Sequence, residues 1–379
     1  MDAKMLILIS AVIFGSSLSD AAEWSYHAET GPEYWSTLPG GENCGLSSQS
    51  PIDIDTSIGV EQEYDAWEVI GYDGVTSEGP HPANIFNNGH TAQVNLEGDY
   101  FVRGGGLPSE YQALQFHLHW GSDSSKGSEH TYDGQARPLR FGKKFERVFE
   151  AMKQSSALHI VHYDHVNYPI IPLAIEAPQG LAVMGFFIEV GEHNSAWDPI
   201  INALGSILHD GDQYDFTESE LFAVSGLIPS DLSKFHRYNG SLTTPGCYES
   251  VVWTVFDETI KLSEDQIEAF RGLSELPEEG HSEDHDEEEP IVDNYRPVQP
   301  LNTRTLYRGY IPDVAGPSCE GRCGEELDEN SPCQCNSVCR NNEDCCEDYH
   351  EQCLVEICTF VPTFKDKQRK QSQDTPTRR

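Results

Sequence analysis

The residues best suited to chemistry in this 379-residue chain begin with two histidines one position apart. Leu114-Gln115-Phe116-His117-Leu118-His119-Trp120 alternates polar and apolar side chains, and in a strand that alternation puts Gln115, His117 and His119 on one face. A second strand-like run, Leu158-His159-Ile160-Val161-His162, supplies a third imidazole, His159, if it pairs with the first. A His-x-His strand by itself fits two hydrogen-bonded core histidines better than a metal site, and it is the context of the further motifs along the chain that reverses this. Three neutral imidazoles around Zn2+, with a fourth position open to water, make a catalytic centre rather than a closed structural one. The metal in such a site lowers the pKa of its water to about 7.

The elements that must position these histidines read as short apolar segments separated by Gly, Pro, Asn and Asp. Ala113 to Trp120, Leu158 to Tyr163, Leu181 to Val190 and Val251 to Phe256 are the clearest. The spacing predicts a mainly β domain with long loops and few helices. Helical periodicity is confined to the neighbourhood of Phe145, Val148, Phe149 and Met152, and to Asp265 to Phe270. The composition turns abruptly to Cys, Glu and Asn after Gly316, which places a domain boundary there.

The zinc segment and a series of separate motifs resemble the α-class carbonic anhydrases, secreted type. They are Trp24-Ser25-Tyr26, Gly31-Pro32, Gln49-Ser50-Pro51-Ile52, Asn88-Gly89-His90, Gly127-Ser128-Glu129-His130-Thr131, Gly180-Leu181-Ala182-Val183, Gly240-Ser241-Leu242-Thr243-Thr244-Pro245 and Asp293-Asn294-Tyr295-Arg296-Pro297-Val298-Gln299-Pro300-Leu301. They run in the family's order across the first domain. The resemblance implies the α-carbonic anhydrase fold, a large, mostly antiparallel twisted central sheet with short peripheral helices. It also implies reversible hydration of carbon dioxide to bicarbonate and a proton.

Position by position, the resemblance implies His117, His119 and His159 as zinc ligands, with Gln115 and the Asn294 carbonyl holding the rings of His117 and His119. Thr243 would accept a hydrogen bond from the nucleophile and donate one to Glu129. His90 resembles the family's proton shuttle, a role suited to an imidazole that titrates near neutrality. Tyr26 and Asn88 would hold the water chain leading to it. Val161, Val183, Leu242 and Trp253 match the apolar wall beside which carbon dioxide rests, and Thr244 lines the polar side. Two departures stand out. Ala157 occupies the place of a glutamate two residues before the third ligand, and residues 134–156 form an insertion whose basic stretch, Arg140 to Gln154, reads as a short amphipathic helix. A docking surface, a lid or a tolerated surface insertion would each fit it.

Eight of the eleven cysteines crowd between Cys319 and Cys353, as in small scaffolds held by disulfides in an oxidising compartment. The Cys333-Gln334-Cys335 pattern and the adjacent Cys345-Cys346 in residues 317–358 resemble a somatomedin B domain. The resemblance implies the pairs Cys319 with Cys335, Cys323 with Cys353, Cys333 with Cys346 and Cys339 with Cys345, and a protein partner for the module. In secreted carbonic anhydrases the positions of Cys44 and Cys247 pair. Cys358 is left over.

Met1 to Ala22 has the layout of a secretory signal peptide: a charged start, an apolar stretch from Met5 to Gly15, then small residues. No later segment approaches the run of about 20 apolar residues that spans a bilayer, and the tail 359–379 is polar and basic, so no membrane anchor is expected. A formal charge of −39 argues against nucleic acid, whose phosphates require Lys and Arg. Residues 275–289 hold nine acids and no Lys or Arg, which predicts an exposed loop open to calcium or mineral. Asn239-Gly240-Ser241 fits the glycosylation acceptor pattern. The reading is a secreted, extracellular zinc enzyme hydrating carbon dioxide. The alternative is a weakly active or inactive relative acting as a matrix-associated or mineral-associated binding protein.

Overall fold

The computed structural model describes residues 24–74, 76, 79–134, 154–276 and 289–312, with the backbone alone at 154 and 155, and single positions at 323, 334, 335, 339, 345 and 353. The predicted signal peptide, the helix expected near 145–152, and most of the insertion, the acidic run and the basic tail lie outside the described residues. The chain divides into two compact units, Met1–Pro312 and Asp313–Arg379.

Fifteen strands occur among the described residues of the first unit: β1 (Asp53–Ile54), β2 (Val60–Glu63), β3 (Glu68–Ile70), β4 (His81–Asn87), β5 (Ala92–Glu97), β6 (Phe101–Arg103), β7 (Tyr111–Trp120), β8 (Thr131–Tyr132), β9 (Gln154–Tyr163), β10 (Leu181–Val190), β11 (Gln213–Asp215), β12 (Lys234–Gly240), β13 (Val251–Phe256), β14 (Ile260–Leu262) and β15 (Tyr307–Tyr310). Thirteen join one mixed sheet, whose main path runs β11-β4-β5-β7-β9-β10-β13-β12-β15-β2. Most ladders are antiparallel; β10 pairs parallel with β13 and β14, and β15 with β2. Among the described residues helices are few and short, as the scarcity of 3.6-residue periodicity there predicts. One of them, Glu264–Phe270, starts at Ser263 with a reciprocal capping box to Gln266.

The long central strands are apolar on both faces because both faces are covered. Nine of the ten residues of β10 are buried. The two faces differ in what they bury. Phe116, Leu118, Leu158, Ile160 and Phe186 point into the larger apolar core, with Trp197 and Phe256. Val161, Val183, Phe187 and Trp253 join a second cluster on the other side, with Leu242, Ile171 and Ile175. Beyond the register shift between Ala113 and Gln115, the pleat therefore sends the even-numbered residues of β7, with Leu158 and Ile160 of β9, to the large core and the odd-numbered ones to the face that carries the histidines.

In the second unit, Cys323 pairs with Cys353 and Cys339 with Cys345. Cys335 is also disulfide-bonded. Cys319, Cys333, Cys346 and Cys358 lie outside the described residues.

Candidate metal centre

Antiparallel pairing of β7 with β9 sets His117 directly opposite His159 and His119 opposite Ala157. One ring nitrogen from each of His117, His119 and His159 lies within 4.8 Å of the other two, and all three residues are buried. His117 Nδ1 meets Gln115 Oε1 at 2.9 Å, and His119 Nδ1 meets the Asn294 carbonyl at 2.6 Å. Both oxygens only accept, so Nδ1 carries the proton in each ring and the Nε2 lone pair faces away. Burial first, and neighbouring histidines second, hold His117 and His159 well below the ordinary imidazole pKa. They are neutral, the form that binds a metal.

Beside the His117 partner Gln115, whose Nε2 is also unmatched, the cluster buries two facing atoms with no hydrogen-bond partner, His119 Nε2 and Glu129 Oε2. They face each other at 3.6 Å, and His159 Nδ1 stands 3.7 Å from the same carboxylate oxygen. Buried polar atoms are rarely left unmatched. Converging imidazole nitrogens beside an unmatched carboxylate oxygen suit a small divalent cation, and the all-nitrogen donor set suits zinc among the common ones.

Glu129 is buried, which raises its pKa; His119, the Arg296 N–H and the Thr243 hydroxyl act in the opposite direction. Its Oε1 accepts from the Arg296 backbone N–H at 2.9 Å. The Arg296 side chain is itself buried and binds Gln49 Oε1, the Ser50 carbonyl and the Cys44 carbonyl. Thr243 and Thr244 are buried on the loop after β12. Cys247 on that loop is joined by a disulfide to Cys44 and donates its N–H to the Thr244 carbonyl.

An apolar row crosses three strands beside the histidines. Val183 is opposite Val161 on one side and Trp253 on the other. Leu242 packs in the same cluster, and the Trp253 indole N–H is satisfied by the Ser241 carbonyl at 2.9 Å.

His90 sits on a tight turn. The Asn88 side-chain oxygen caps the N–H groups of His90 and Thr91 at 3.0 and 2.9 Å, and Gly89 takes a φ of +76°, a conformation glycine adopts freely. The Asn88 amide nitrogen is buried without a partner. The His90 ring lies flat against Trp24, with centroids 3.8 Å apart and planes 18° from parallel, and burial pushes its pKa down to about 4. Tyr26 is edge-on to it at 6.5 Å. His130 and His162 are core residues: His130 Nε2 meets the Tyr238 hydroxyl at 2.7 Å, and His162 Nε2 meets that of Tyr72 at 2.6 Å.

The structure thus gathers His117, His119, His159, Glu129, Gln115, Asn294 and the apolar row around one point, with His90 stacked on Trp24 and Tyr26 edge-on to both. Three contributions escaped the sequence reading. Trp24 stacks on His90, Arg296 orders Glu129, and the Asn294 side chain donates to the His90 and Leu118 carbonyls and accepts from Trp120 N–H. Trp24, Arg296 and Asn294 all lie inside motifs quoted above, which was the available signal.

The model of the eukaryotic-type carbonic anhydrase family matches residues 30–310, and that of the somatomedin B domain residues 317–356. The chain is 34% identical to carbonic anhydrase 3 of Homo sapiens over 290 residues, covering 76% of this chain and 98% of that protein. It is 34% identical to carbonic anhydrase 1 of Mus musculus over 292 residues, with the same coverage. Among the described residues no helix is long and apolar enough to cross a membrane.

Proposed function

Since the chain belongs to the eukaryotic-type carbonic anhydrase family and ends in a somatomedin B domain, we propose that it is a secreted zinc enzyme that reversibly hydrates carbon dioxide. The observation that carries this reading is the convergence of three buried imidazoles on a space flanked by an unmatched carboxylate oxygen. His117, His119 and His159 would hold the metal. Zinc supplies a hydroxide nucleophile there at neutral pH by acidifying a water to about pKa 7.

The other residues do the orienting. Thr243, with its hydroxyl proton given to Glu129, keeps only lone pairs for the nucleophile and so accepts its O–H. This aims the attacking lone pair at carbon. Val161, Val183, Leu242 and Trp253 offer an apolar surface to an uncharged gas that makes no strong hydrogen bonds, and Thr244 adds a polar edge for bicarbonate. Asn88 and Tyr26 line the way to His90, which passes the proton outward. Gln115 and Asn294 fix the ligand rings, and such partners are typically worth 10 to 100-fold in affinity or activity.

The disulfides and the somatomedin B domain support an extracellular location, and that domain type suggests a protein partner. One departure favours a second reading, a weakly active binding protein: Ala157 offers no carboxylate beside His159. Stopped-flow carbon dioxide hydration by the purified chain, with zinc content measured on the same sample and a sulfonamide control, decides between them. Sulfonamide-sensitive turnover at one zinc per chain is expected. Full zinc occupancy without turnover would replace the enzyme with the binding protein.

A further inference from the structure

At the rim of the same site a second imidazole stands in a different setting from His90. His27 Nε2 is 3.3 Å from Glu275 Oε1, with the His27 side chain 47% exposed and that of Glu275 19% exposed. Three residues before His27 is Trp24, the residue stacked on His90. Between them is Tyr26, whose hydroxyl is raised well above its ordinary pKa by burial and by two carboxylates, Glu129 beside the ligand histidines and Glu275 at the rim. Tyr26 therefore stays protonated and lies within electrostatic reach of both the centre and the rim. Glu275 is fixed by its backbone, which donates to the Glu289 carbonyl. The adjacent Ser274 carbonyl accepts from Asn87, at the base of the His90 turn.

We propose that His27, held by Glu275, is a second proton exit from the site, running past Tyr26 and working in parallel with His90. The inference rests on the hydration reading above. Hydration of each carbon dioxide leaves one proton to be exported. An O–H bond of water breaks, an N–H bond forms on the His27 ring through intervening solvent, and a buffer base then takes that proton and restores the ring. Glu275 is a positioning residue that holds the imidazole and balances its charge while it is loaded.

The setting of His90 explains why a second route is useful. Its ring is pressed against Trp24, and Asp210 borders the turn at Gly89. A group whose pKa is about 4 takes a proton from one near 7 only against a roughly thousandfold equilibrium. His27 faces Glu275 in an open position, with Glu289 bonded to the same segment and Tyr26 as the nearest phenol in sequence.

The test uses the zinc-loaded full chain in weak buffer, with oxygen-isotope exchange separating carbon dioxide interconversion from proton-limited water release. His27→Ala is expected to slow water release at least fivefold with kcat/KM unchanged, and added imidazole to restore it. Glu275→Gln should do the same to a smaller degree. In the zinc-free protein, His27→Ala should also raise the Glu275 carboxyl midpoint, read by carboxyl carbon NMR, because His27 is one of the groups that lower it. Unchanged water release in His27→Ala, or a loss that imidazole does not rescue, overturns the relay. Wild-type protein without any interconversion overturns the hydration reading itself, and is distinguished from the first result by kcat/KM.

Discussion

Replacing His162 by Leu should make the protein less stable at pH 7.5 and almost indifferent to the change at pH 5. In the folded chain His162 is fully buried and its hydrogen bonds suit the neutral ring. Nδ1–H donates to the Ala182 carbonyl at 3.2 Å, and the Tyr72 hydroxyl donates to Nε2 at 2.6 Å. Protonation would set an N–H against that hydroxyl proton and bury a cation. Burial accordingly pushes the pKa down to about 4, against about 6.5 in an unfolded chain. A depressed histidine pKa means that the unfolded state binds more protons between these two values. Stability from this group is therefore complete above pH 6.5 and falls as pH drops towards 4. At about 1.4 kcal/mol per pH unit, the wild type loses on the order of 2 kcal/mol by pH 5. His162→Leu instead leaves the Tyr72 hydroxyl unmatched, at a cost of about 1–3 kcal/mol at every pH. Urea unfolding of both proteins at pH 7.5, 6 and 5, with zinc removed by a chelator, cancels the titration of the ligand histidines in the difference. The expected gap is about 2 kcal/mol at pH 7.5 and near zero at pH 5. A gap that does not change with pH refutes the assignment of His162 as a buried neutral imidazole.

Other substitutions probe the metal centre and its support. Gln115→Ala removes the acceptor at 2.9 Å from His117 Nδ1 and should weaken zinc binding about 10 to 100-fold in chelator competition. Ala157→Glu puts a carboxylate on the face of β9 that carries His159, and should tighten zinc by about tenfold in the same assay, with some loss of thermal stability from burying the charge. A β-carbon on Gly240 would fall 2.2 Å from Ser50 Oγ and 2.7 Å from the Tyr238 ring, whereas one on Gly185 would meet its neighbours at 3.5 Å or more. Gly240→Ala should therefore cost about 1–3 kcal/mol in urea unfolding, and Gly185→Ala should cost clearly less.

What the sequence made legible followed from distance along the chain. The spans of β10 and β13 and most of β7 and β9 could be read from apolar runs of the right length between breakers, and Gln115, His117 and His119 from alternation within one strand. The acceptor for His119 is a carbonyl 175 residues away, and no local pattern announces it; only the Asn294 motif pointed there. The stacking of His90 on Trp24 was illegible for another reason. It depends on the rotamer a turn residue adopts, and a motif fixes the turn without fixing the ring. The His27–Glu275 pair joins the residue after the Trp24-Ser25-Tyr26 motif to the first acid of the 275–289 run, and nothing in either segment announces the other.

The legible part of the site and the legible part of the core are one feature of the sequence. Along β7 and β9 the even positions Phe116, Leu118, Leu158 and Ile160 fill the large core, and the odd positions His117, His119, His159 and Val161 form the centre and its wall. Sliding β9 by one residue against β7 would set Leu158 opposite His117 and turn His159 into the apolar core, where a histidine with no partner costs several kcal/mol. The third ligand would be lost from the triad by the same slip that breaks the core. Selection for a packed sheet therefore holds the three imidazoles in register, and the chemistry needs no separate device to align its strands. What it does need lies beyond the pleat: Asn294, Arg296 and the Cys44–Cys247 bridge reach in from distant loops, which is why changes there should alter the site while leaving the sheet intact.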